Sequence, residues 1–488
     1  MPTLKNLTIL HSNDLHGDFH ADEIDEDLLG GISMLSGYVA KVRSEVPNTI
    51  YCIAGDMLQG SIIDSDYLGL STIEIMNLLN PDVASIGNHE IDYGLAHLLF
   101  LERCAKFPIV NANFYIKNPY TRLFKPCKVI RMDGMNIKFI GITTEDIMKG
   151  IQSDFLGSFV DIEDAACEVG HICNAYKSVD IDFTVLLTHI GFEEDKRLAA
   201  MLDPEWGVDL IIGGHTHTIL EQPEMVNGIL IAQAGVGTKQ IGRFDIVVDT
   251  DANVAHDFSW ELISIKAKNC PRDIEMENTV LRFKDEVDQK YDRVLCRLKR
   301  RLTHPDRYQE TELGNLLCDI LQKELGVDIM MLGSGSIRKK AVPTIMTLRE
   351  MHEMFPYDDK LKQFSVTGDQ FKRMLAFIFR EEMFNKDHTE FYQFSRGLKI
   401  RFNRARMEFE SIELNGAPLQ HDGLYTIGLQ DFHIANFSQF FGFPIEELLE
   451  NAKPRVLTTS AHDIFLEHFA TVAVLKSRVE GRIVVVTD

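Results

Sequence analysis

The chain has 488 residues, of which 73 are acidic and 50 basic, so its formal charge is -23. A chain this acidic is not expected to bind a nucleic-acid polymer or an anionic membrane unless part of its surface is positively charged. Hydrophobic residues make up 45% and charged residues 25%, which is ordinary globular usage and argues against a disordered chain or a membrane bundle. The length predicts about three domains, or two large ones.

The cysteines and the N-terminus indicate a cellular compartment. The eight cysteines are scattered, with no Cys-x-x-Cys pair, so we expect buried free thiols. The chain enters an apolar run at residues 7–10 without a stretch of signal-peptide length, and no later segment approaches the ~20 apolar residues of a membrane-spanning helix. These features predict a cytoplasmic protein with no membrane partner.

In the first half, short β-rich runs alternate with amphipathic stretches, as in α/β proteins. We expect strands at residues 49–54, 136–140, 183–187 and 208–212. Several of these runs stop abruptly at Gly, Asp or His. Because ligands of α/β sheets bind beyond the carboxyl ends of the strands, these endings are where we expect a functional site.

A charged helical pattern covers residues 271–302, where apolar side chains recur every three or four positions. These side chains are Val280, Phe283, Val287, Tyr291, Val294 and Leu298. We predict a connecting helix, with an ordinary surface helix of the first domain as the alternative. Further helices are expected at residues 313–325 and 368–379. The expected domains are therefore residues 1–270 and 303–488, the second being α/β or α+β, with the connecting helix at 271–302.

Five short segments of the first half bring carboxylate, amide and imidazole groups to the ends of predicted strands. They are residues 13–16 (Asn-Asp-Leu-His), 55–56 (Gly-Asp), 87–90 (Gly-Asn-His-Glu), 188–189 (Thr-His) and 213–217 (Gly-Gly-His-Thr-His). Residues two apart in an extended segment point the same way, so Asp14 is expected to converge with His16, and His215 with His217. This donor set suits zinc, manganese, iron or cobalt, whereas an all-oxygen set would suit magnesium or calcium.

From these donors we infer a two-metal centre. Two divalent ions that lie close together need a shared anionic bridge. Asp56 is the candidate because it follows Gly55 and has no neighbouring histidine as a local partner. Two ions can hold a bridging hydroxide and clamp the oxygens of an in-line displacement at phosphorus.

The ordered set Asp-x-His, Gly-Asp, Gly-Asn-His-Glu, Thr-His and Gly-His-Thr-His resembles the signature of the calcineurin-like metallophosphoesterases. Asn-His-Glu-x-Asp at residues 88–92, with a second domain after it, resembles the 5′-nucleotidase family, which includes UDP-sugar hydrolases and cyclic-nucleotide phosphodiesterases. The resemblance implies an α/β fold: a four-layer β-sandwich flanked by helices, plus a C-terminal α+β substrate-binding domain.

Residue by residue, the resemblance implies the ligands of two divalent ions, which could be manganese, zinc, cobalt or iron. The first ion would be held by Asp14, His16, Asp56 and His217, and the second by Asp56, Asn88, His189 and His215. His89 would be a catalytic residue that faces the phosphate. Asp92 would orient it, as a carboxylate fixes the tautomer of an imidazole.

In this family the C-terminal domain supplies arginines for the phosphate and two aromatic rings that sandwich a base. Three segments resemble the family's motifs: Leu-Gly-Asn-Leu at 313–316, Gly-Ser-Gly-Ser-Ile-Arg at 333–338 and Phe-Pro-Tyr at 355–357. The implied substrate-binding residues are Arg338, Tyr357, Phe432, Arg307 and Asn315. The chain departs from the family at 333–338, where Ser334 and Ser336 replace glycines, and at 435–441, where an acid that would bond a ribose is missing.

The resemblance implies a divalent-metal-dependent phosphoester hydrolase, most like a 5′-nucleotidase, that acts on nucleotides or related small phosphates. Two alternatives stay open. The departures in the second domain would suit a phosphodiester or pyrophosphate, such as a 2′,3′-cyclic nucleotide, a UDP-sugar or a dinucleotide. A catalytically silent nucleotide-binding protein would be expected to have lost a metal ligand or His89, and none of them is missing.

Overall fold

The computed structural model describes residues 2–24, 27–117, 120–143, 157–159, 161–385 and 389–487. The chain divides into two compact units, Met1–Val287 and Asp288–Asp488. The finer domain limits expected from the sequence, at residues 270 and 303, stay predictions. Among the described helices, none combines the length and the apolar character that crossing a membrane requires.

Within the described residues, two six-stranded sheets form the centre of the first unit. From edge to edge, the first sheet contains Val254–Ser264, Gln240–Asp249, Leu4–Ser12, Thr49–Ala54, Val83–Ser85 and Ile109–Val110. The second contains Glu224–Val226, Ile229–Ala232, Leu210–Ile212, Phe183–His189, Met135–Thr143 and Cys127–Met132. All four strands expected from the sequence lie in these sheets.

The two sheets pack face to face because alternate side chains of their strands point into a shared core. Ile9 and Cys52 of the first sheet are fully buried in that core with Phe139 and Val185 of the second. The intervening side chains of the second sheet, such as Leu186, face the other way and pack under two helices. The described helices of this unit are Ile32–Glu45, Ile62–Asp66, Leu70–Leu79, Leu95–Cys104, Ile162–Ala175 and Phe192–Met201, and the helix Ile274–Tyr291 begins in this unit.

This arrangement is the four-layer α/β sandwich that the sequence predicts, with Ile162–Ala175 and Phe192–Met201 outside the second sheet and Ile32–Glu45 packed on the first. Smaller elements extend it. They are the hairpin of Ala21–Ile24 with Asp27–Gly30, and a three-stranded sheet of Gly157–Phe159, Phe114–Lys117 and Tyr120–Arg122.

The helix predicted over residues 271–302 is shorter than expected. It spans Ile274–Tyr291 and crosses the division between the units, and Val294–Leu298 is a strand. Val294 and Leu298 fitted the helical pattern because a spacing of four residues is about one helical turn and also two repeats of a strand. The helix prediction is therefore wrong beyond residue 291.

The second unit is an α+β domain, as expected. From edge to edge, its five-stranded sheet contains Tyr392–Phe394, Ile329–Gly333, Leu424–Gln430, Leu361–Thr367 and Arg455–Thr458, and its four-stranded sheet contains Ala417–Pro418, Glu408–Leu414, Leu398–Asn403 and Ile483–Val486. Two smaller sheets contain Ile345–Thr347, Val294–Leu298 and Val474–Leu475, and Leu302–Thr303 and Ala341–Val342. The helices are Glu312–Leu325, Leu348–Met354, Gly368–Ile378, Glu381–Asn385, Asp431–Ala435, Phe437–Phe441, Glu446–Leu449 and Ala461–Thr471.

The two helices predicted in this unit have clear local causes. Glu312–Leu325 begins where the Thr311 hydroxyl accepts the N–H of Gly314, and it ends at Gly326 with φ 71°. Gly368–Ile378 begins with a capping box of Thr367 and Gln370. Its apolar face, which includes Phe371 and Leu375, is fully buried in the core of the unit. Both predictions are confirmed to within one residue at each end.

All eight cysteines are free thiols, as the sequence predicts. Six of them are buried, whereas Cys104 is half-buried and Cys167 is exposed. The expectation of burial is therefore wrong for these two. Both lie on helices of the first unit, where a small polarisable side chain is tolerated near the surface.

Candidate metal centre

Acidic, amide and imidazole side chains gather where strands of the two sheets end. Asp14 and His16 follow Leu4–Ser12, Asp56 follows Thr49–Ala54, Asn88 follows Val83–Ser85, His189 ends Phe183–His189, and His215 and His217 follow Leu210–Ile212. Leu4–Ser12, Thr49–Ala54 and Val83–Ser85 are parallel neighbours in one sheet, and Phe183–His189 and Leu210–Ile212 in the other. Parallel pairing puts their carboxyl ends at the same edge, which is where the sequence predicted a site.

Five of these seven residues have a left-handed backbone: φ is 51° at Asp14, 48° at His16, 52° at Asp56, 80° at His215 and 53° at His217. The expected convergence of Asp14 with His16 is confirmed, whereas that of His215 with His217 is wrong, and none of these four residues has the extended backbone that was expected. The strands end earlier, at Ser12 and Ile212, and left-handed turns direct the side chains. Non-glycine residues in this conformation are strained and concentrate at functional sites.

The first group of side chains consists of Asp14, His16 and His217, whose ligand atoms all lie within 4.8 Å of one another. Nε2 of His217 is 3.4 Å from Oδ1 of Asp14 and 3.1 Å from Nε2 of His16. Nδ1 of His16 donates to the carbonyl oxygen of Gln59 at 3.1 Å. Its Nε2 therefore carries a lone pair toward the group, as a metal ligand must.

The second group consists of Asp56, His189 and His215, again within 4.8 Å. Nδ1 of His189 donates to the carbonyl oxygen of Ala54 at 3.0 Å, which leaves its Nε2 as the inward-facing atom. Asn88 joins this group, because its Oδ1 lies 3.0 Å from Nδ1 of His215. The two groups hold all seven side chains that the resemblance implied as ligands, and His215 and His217 belong to different groups.

Asp56 lies next to both groups. Its Oδ2 is 3.1 Å from Nε2 of His189 and 3.8 Å from Nε2 of His16. Burial alone would raise the pKa of Asp56, but the charge and hydrogen bond of His189, with the N–H of His89, hold that pKa below its usual range. Burial by itself would lower the pKa of His189. The negative charge of Asp56 outweighs this effect, so the pKa of His189 is raised. A divalent cation would displace this proton, because a ligand must offer a lone pair.

The side chains fit divalent cations on two further observations. The fully buried Nε2 of His189 faces Oδ2 of Asp56 at 3.1 Å, and two ligand atoms that each lie about 2.0 to 2.2 Å from one ion are separated by about this distance. Space is also kept around the ligands by glycines. A Cβ at Gly55 would lie 2.6 Å from Nδ1 of His189, and one at Gly87 would lie 2.2 Å from Oδ1 of Asp56. Only glycine lets the backbone come this close.

His89 and Asp92 form a pair at the rim of these groups. Nδ1 of His89 donates to Oδ2 of Asp92 at 2.6 Å, and the His89 side chain is 37% exposed. The hydrogen bond to Asp92 raises the pKa of His89 against the effect of burial. The backbone N–H of His89 also donates to Oδ1 of Asp56 at 3.0 Å. His89 is thus an accessible proton donor attached to the metal-ligand cluster. Its nitrogen also falls within 4.8 Å of ligand atoms of His16 and Asp56.

Glu90 has a supporting role that the sequence reasoning did not assign, although it lies within a quoted motif. Its buried carboxylate accepts the backbone N–H groups of Asp56 at 2.9 Å, Met57 at 2.8 Å and Gly87 at 2.5 Å. Burial and the charge of Asp56 raise the pKa of Glu90. Glu90 therefore fixes the backbone of the Gly55–Asp56 turn relative to the segment that carries Asn88 and His89.

A second supporting network, also missed, joins the two ligand-bearing ends of the second sheet. The buried Asp195 accepts the Thr188 hydroxyl at 2.6 Å and the Gln233 amide at 3.0 Å. Gln233 in turn donates to the carbonyl oxygen of Gly214 at 3.3 Å. Burial raises the pKa of Asp195 to about 7. Thr188 precedes His189 and Gly214 precedes His215, so this network holds both histidine segments. Its members are distant in sequence, so no local pattern reveals them.

The second unit contains a pocket of about 330 Å³. It is lined by four of the five residues implied as substrate-binding, namely Arg307, Arg338, Tyr357 and Phe432, and by Gly335, Ser336, Asp359, Glu390 and His433. Arg338 donates to the hydroxyl of Tyr357, and its guanidinium lies 5.2 Å from the centre of that ring. Arg307 donates to Glu390 at 2.5 Å.

The structure does not bring Asn315 to this pocket. Asn315 is fully buried in the helix Glu312–Leu325, and its amide donates to Glu310 at 2.6 Å and to the carbonyl oxygen of Arg478 at 2.9 Å. In the described structure Asn315 therefore links this helix by hydrogen bonds to the segments that contain Glu310 and Arg478. The expectation of a substrate contact at Asn315 has no geometric support here.

The chain is similar to known proteins in family, sequence and fold. Residues 7–218 match the family described as calcineurin-like phosphoesterase, and residues 292–443 match the one described as 5′-nucleotidase, C-terminal domain. A 5′-nucleotidase of Mus musculus is 26% identical over 541 aligned residues, which cover 98% of this chain and 90% of that protein.

Solved structures show the same likeness. The 5′-nucleotidase precursor of Thermus thermophilus aligns with a TM-score of 0.63 and 25% identity, over 99% of this chain and 100% of that chain. The NAD nucleotidase of Haemophilus influenzae aligns with a TM-score of 0.60 and 17% identity over 100% of both chains, and this likeness concerns the fold alone.

Proposed function

The chain belongs to the 5′-nucleotidase family of calcineurin-like phosphoesterases, and from this we propose that it hydrolyses phosphoesters of nucleotides with two divalent metal ions. That it is a metal-dependent phosphoester hydrolase follows from the family itself. The number of ions and the 5′-nucleotidase-like substrate are the parts we add. Zinc, manganese, iron and cobalt all suit the mixed nitrogen and oxygen donors.

One observation carries the two-ion proposal: Oδ2 of Asp56 lies near ligand nitrogens of both groups, 3.1 Å from His189 and 3.8 Å from His16. We assign Asp14, His16 and His217 to one ion, and Asn88, His189 and His215 to the other. Asp56 would serve both, since its carboxylate is grouped within 4.8 Å with His189 and His215 and also with His16, whereas Asp14 is grouped only with His16 and His217 and lies farther from His189, at 3.8 Å. When bound, such a pair of ions supplies an activated water nucleophile and neutralises phosphoryl charge.

His89 and Asp92 complete the proposed reaction. Nδ1–H of His89 is held by Asp92, so its Nε2 is the atom left to meet a ligand. A protonated His89 would donate to a phosphoryl oxygen as charge develops there, or give its proton to the leaving oxygen. Asp92 fixes the tautomer and orientation of the ring, as a carboxylate does for a catalytic imidazole.

We assign recognition of the nucleoside to the pocket of the second unit. Tyr357 and Phe432 are 44% and 56% exposed, so each offers a ring face on which a base can stack. Arg338 lies against Tyr357 and offers a planar guanidinium for an oxygen-rich group.

The test is phosphate release by the purified, manganese-loaded protein from a panel of nucleoside monophosphates, 2′,3′-cyclic nucleotides, UDP-sugars and dinucleotides. We expect turnover of monophosphates that a chelator abolishes and added metal restores. Preference for the cyclic or pyrophosphate substrates would favour the second enzyme hypothesis. Nucleotide binding with metal present and no turnover of any substrate would instead indicate a silent binding protein.

A further inference from the structure

The pocket of the second unit keeps hydrogen-bonding capacity that the described protein atoms do not use. Among the described residues, Nδ1 of His433 and Nε of Arg307 are buried atoms without a hydrogen-bond partner. His433 is 2% exposed, and burial lowers its pKa to about 4, so it is a neutral imidazole at physiological pH. Buried polar groups are normally paired, so these two atoms show that the wall of this pocket is polar.

The two acidic residues of this pocket, Glu390 and Asp359, differ in how many of their carboxylate oxygens accept a hydrogen bond. Both oxygens of Glu390 are engaged, since Oε2 accepts from Arg307 at 2.5 Å and Oε1 from the N–H of Gly335 at 2.8 Å. Asp359 accepts from the amide of Gln430 at 2.7 Å, through Oδ2. In the part of the chain that the structure describes, this amide is the one hydrogen-bond donor to Asp359.

Asp359 is held in a defined orientation by the side chain that bonds it. Oε1 of Gln430 accepts the N–H of Gly333 at 3.0 Å, which leaves the Gln430 amide group directed at Asp359. Asp359 therefore lines the pocket as a fixed carboxylate with an oxygen left for a ligand. It shares that pocket with the exposed rings of Tyr357 and Phe432.

We propose that Asp359 is a specificity-determining residue that makes this pocket selective for guanine, an inference that rests on the proposed nucleotide hydrolysis. An ionised carboxylate only accepts hydrogen bonds. Guanine offers it two adjacent donors, N1–H and the 2-amino group. One can bond the free Oδ1, and the other can bond the second lone pair of Oδ2, whose first lone pair accepts from Gln430. Adenine offers one amino group beside a ring nitrogen that is itself an acceptor. Uracil offers one N–H between two carbonyl oxygens, which a carboxylate repels.

The test compares kcat/KM for GMP and AMP in the metal-loaded protein and in Asp359→Asn. The asparagine oxygen can still accept from Gln430, so its amide would then present donors to the base. We expect the wild type to prefer GMP and the variant to lose that preference by on the order of ten- to a hundred-fold in the GMP/AMP ratio. Asp422→Asn is the control, because Asp422 is 99% exposed and does not line the pocket; it should leave the ratio unchanged.

A binding measurement separates this inference from the proposed function. Guanosine, inosine and adenosine are titrated into chelator-treated wild-type protein, which needs no turnover and no variant. Guanosine should bind more tightly than inosine, which lacks the 2-amino group, and than adenosine. If no nucleotide is hydrolysed but guanosine is still preferred, the proposed function fails and the selectivity stands. Equal binding of the three, or an unchanged GMP/AMP ratio in Asp359→Asn, overturns the selectivity even if nucleotides are hydrolysed.

Discussion

Nδ1 of His89 lies 2.6 Å from Oδ2 of Asp92, the residue that caps the short 3-10 helix His89–Ile91. The pair is partly exposed, whereas Asp56, which accepts the backbone N–H of His89, is buried. A proton donor is thus attached directly to the metal-ligand cluster yet remains open to a substrate. This relationship leads to the first of four predictions.

Replacing His89 by Asn should lower kcat by about 10²- to 10⁴-fold, the usual contribution of a positioned proton donor. Asp92→Asn should have a smaller effect, about ten-fold or more, because the ring remains but its orientation is less fixed. Steady-state kinetics with a nucleoside monophosphate measures both. His171→Asn, at an exposed helical position, is the control and should keep full activity. Unchanged kcat in His89→Asn would exclude its catalytic role.

Replacing Asp56 by Ala should reduce bound metal from about two ions per chain to one or none, because the proposed bridge serves both groups. Mass spectrometry of the desalted protein after manganese loading measures the stoichiometry. Asp257→Ala, at an exposed position, is the matched acidic control. A variant that still holds two ions with wild-type affinity would show that Asp56 is not the bridge.

Gly55→Ala should prevent metal binding and destabilise the first unit. Gly55 has φ 74°, and an added Cβ would lie 2.6 Å from Nδ1 of His189 and 2.7 Å from the backbone N of Gly87. The matched control is Gly228→Ala, where φ is 79° but no atom lies within 4 Å of the added Cβ. The control carries the left-handed strain, about 1 kcal/mol or more, without the clash.

Chemical unfolding and manganese titration of the two glycine variants separate strain from steric exclusion. Gly55→Ala should lower both the free energy of unfolding and the affinity for manganese. Gly228→Ala should lower the free energy of unfolding only slightly and leave the affinity for manganese unchanged. Equal losses in the two variants would mean that the space beside His189 is not critical.

Asp195→Asn should weaken metal binding although Asp195 is not among the proposed ligands. Its carboxylate accepts from both Thr188 and Gln233, and an asparagine can accept from only one of them through its oxygen. We expect a loss of about 10- to 100-fold in metal affinity, as is usual for groups that orient ligands. Saturating manganese should restore most of kcat, which separates positioning from chemistry.

Glu194→Gln is the control for this variant, because Glu194 is the partly exposed neighbour and makes a long 3.4 Å contact with Arg197. Its metal affinity and melting temperature should match the wild type. If Asp195→Asn loses only melting temperature and keeps its metal affinity, the network serves stability alone.

Much of the fold could be predicted because its signals are local. Caps at Thr311 and Thr367 specify where two helices begin, and continuous apolar runs specify the buried strands. Beyond residue 291 the prediction failed, because the spacing of Val294 and Leu298 suits a helix and a strand equally. Only pairing of Val294–Leu298 with its neighbours Ile345–Thr347 and Val474–Leu475 decides between them.

The sequence by itself determined which side chains form the candidate metal centre, because five motifs in order place the required donors directly after strands. The resemblance already implied how they divide between two ions, and the tertiary structure decided which backbone conformation achieves that division. His215 and His217 are two residues apart, yet left-handed turns place them in different groups. Glu90, Asp195 and Asp359 acquire their roles through contacts with residues 34, 38 and 71 positions away. Such contacts form only when the chain folds and brings distant residues together, so no local pattern of residues predicts them.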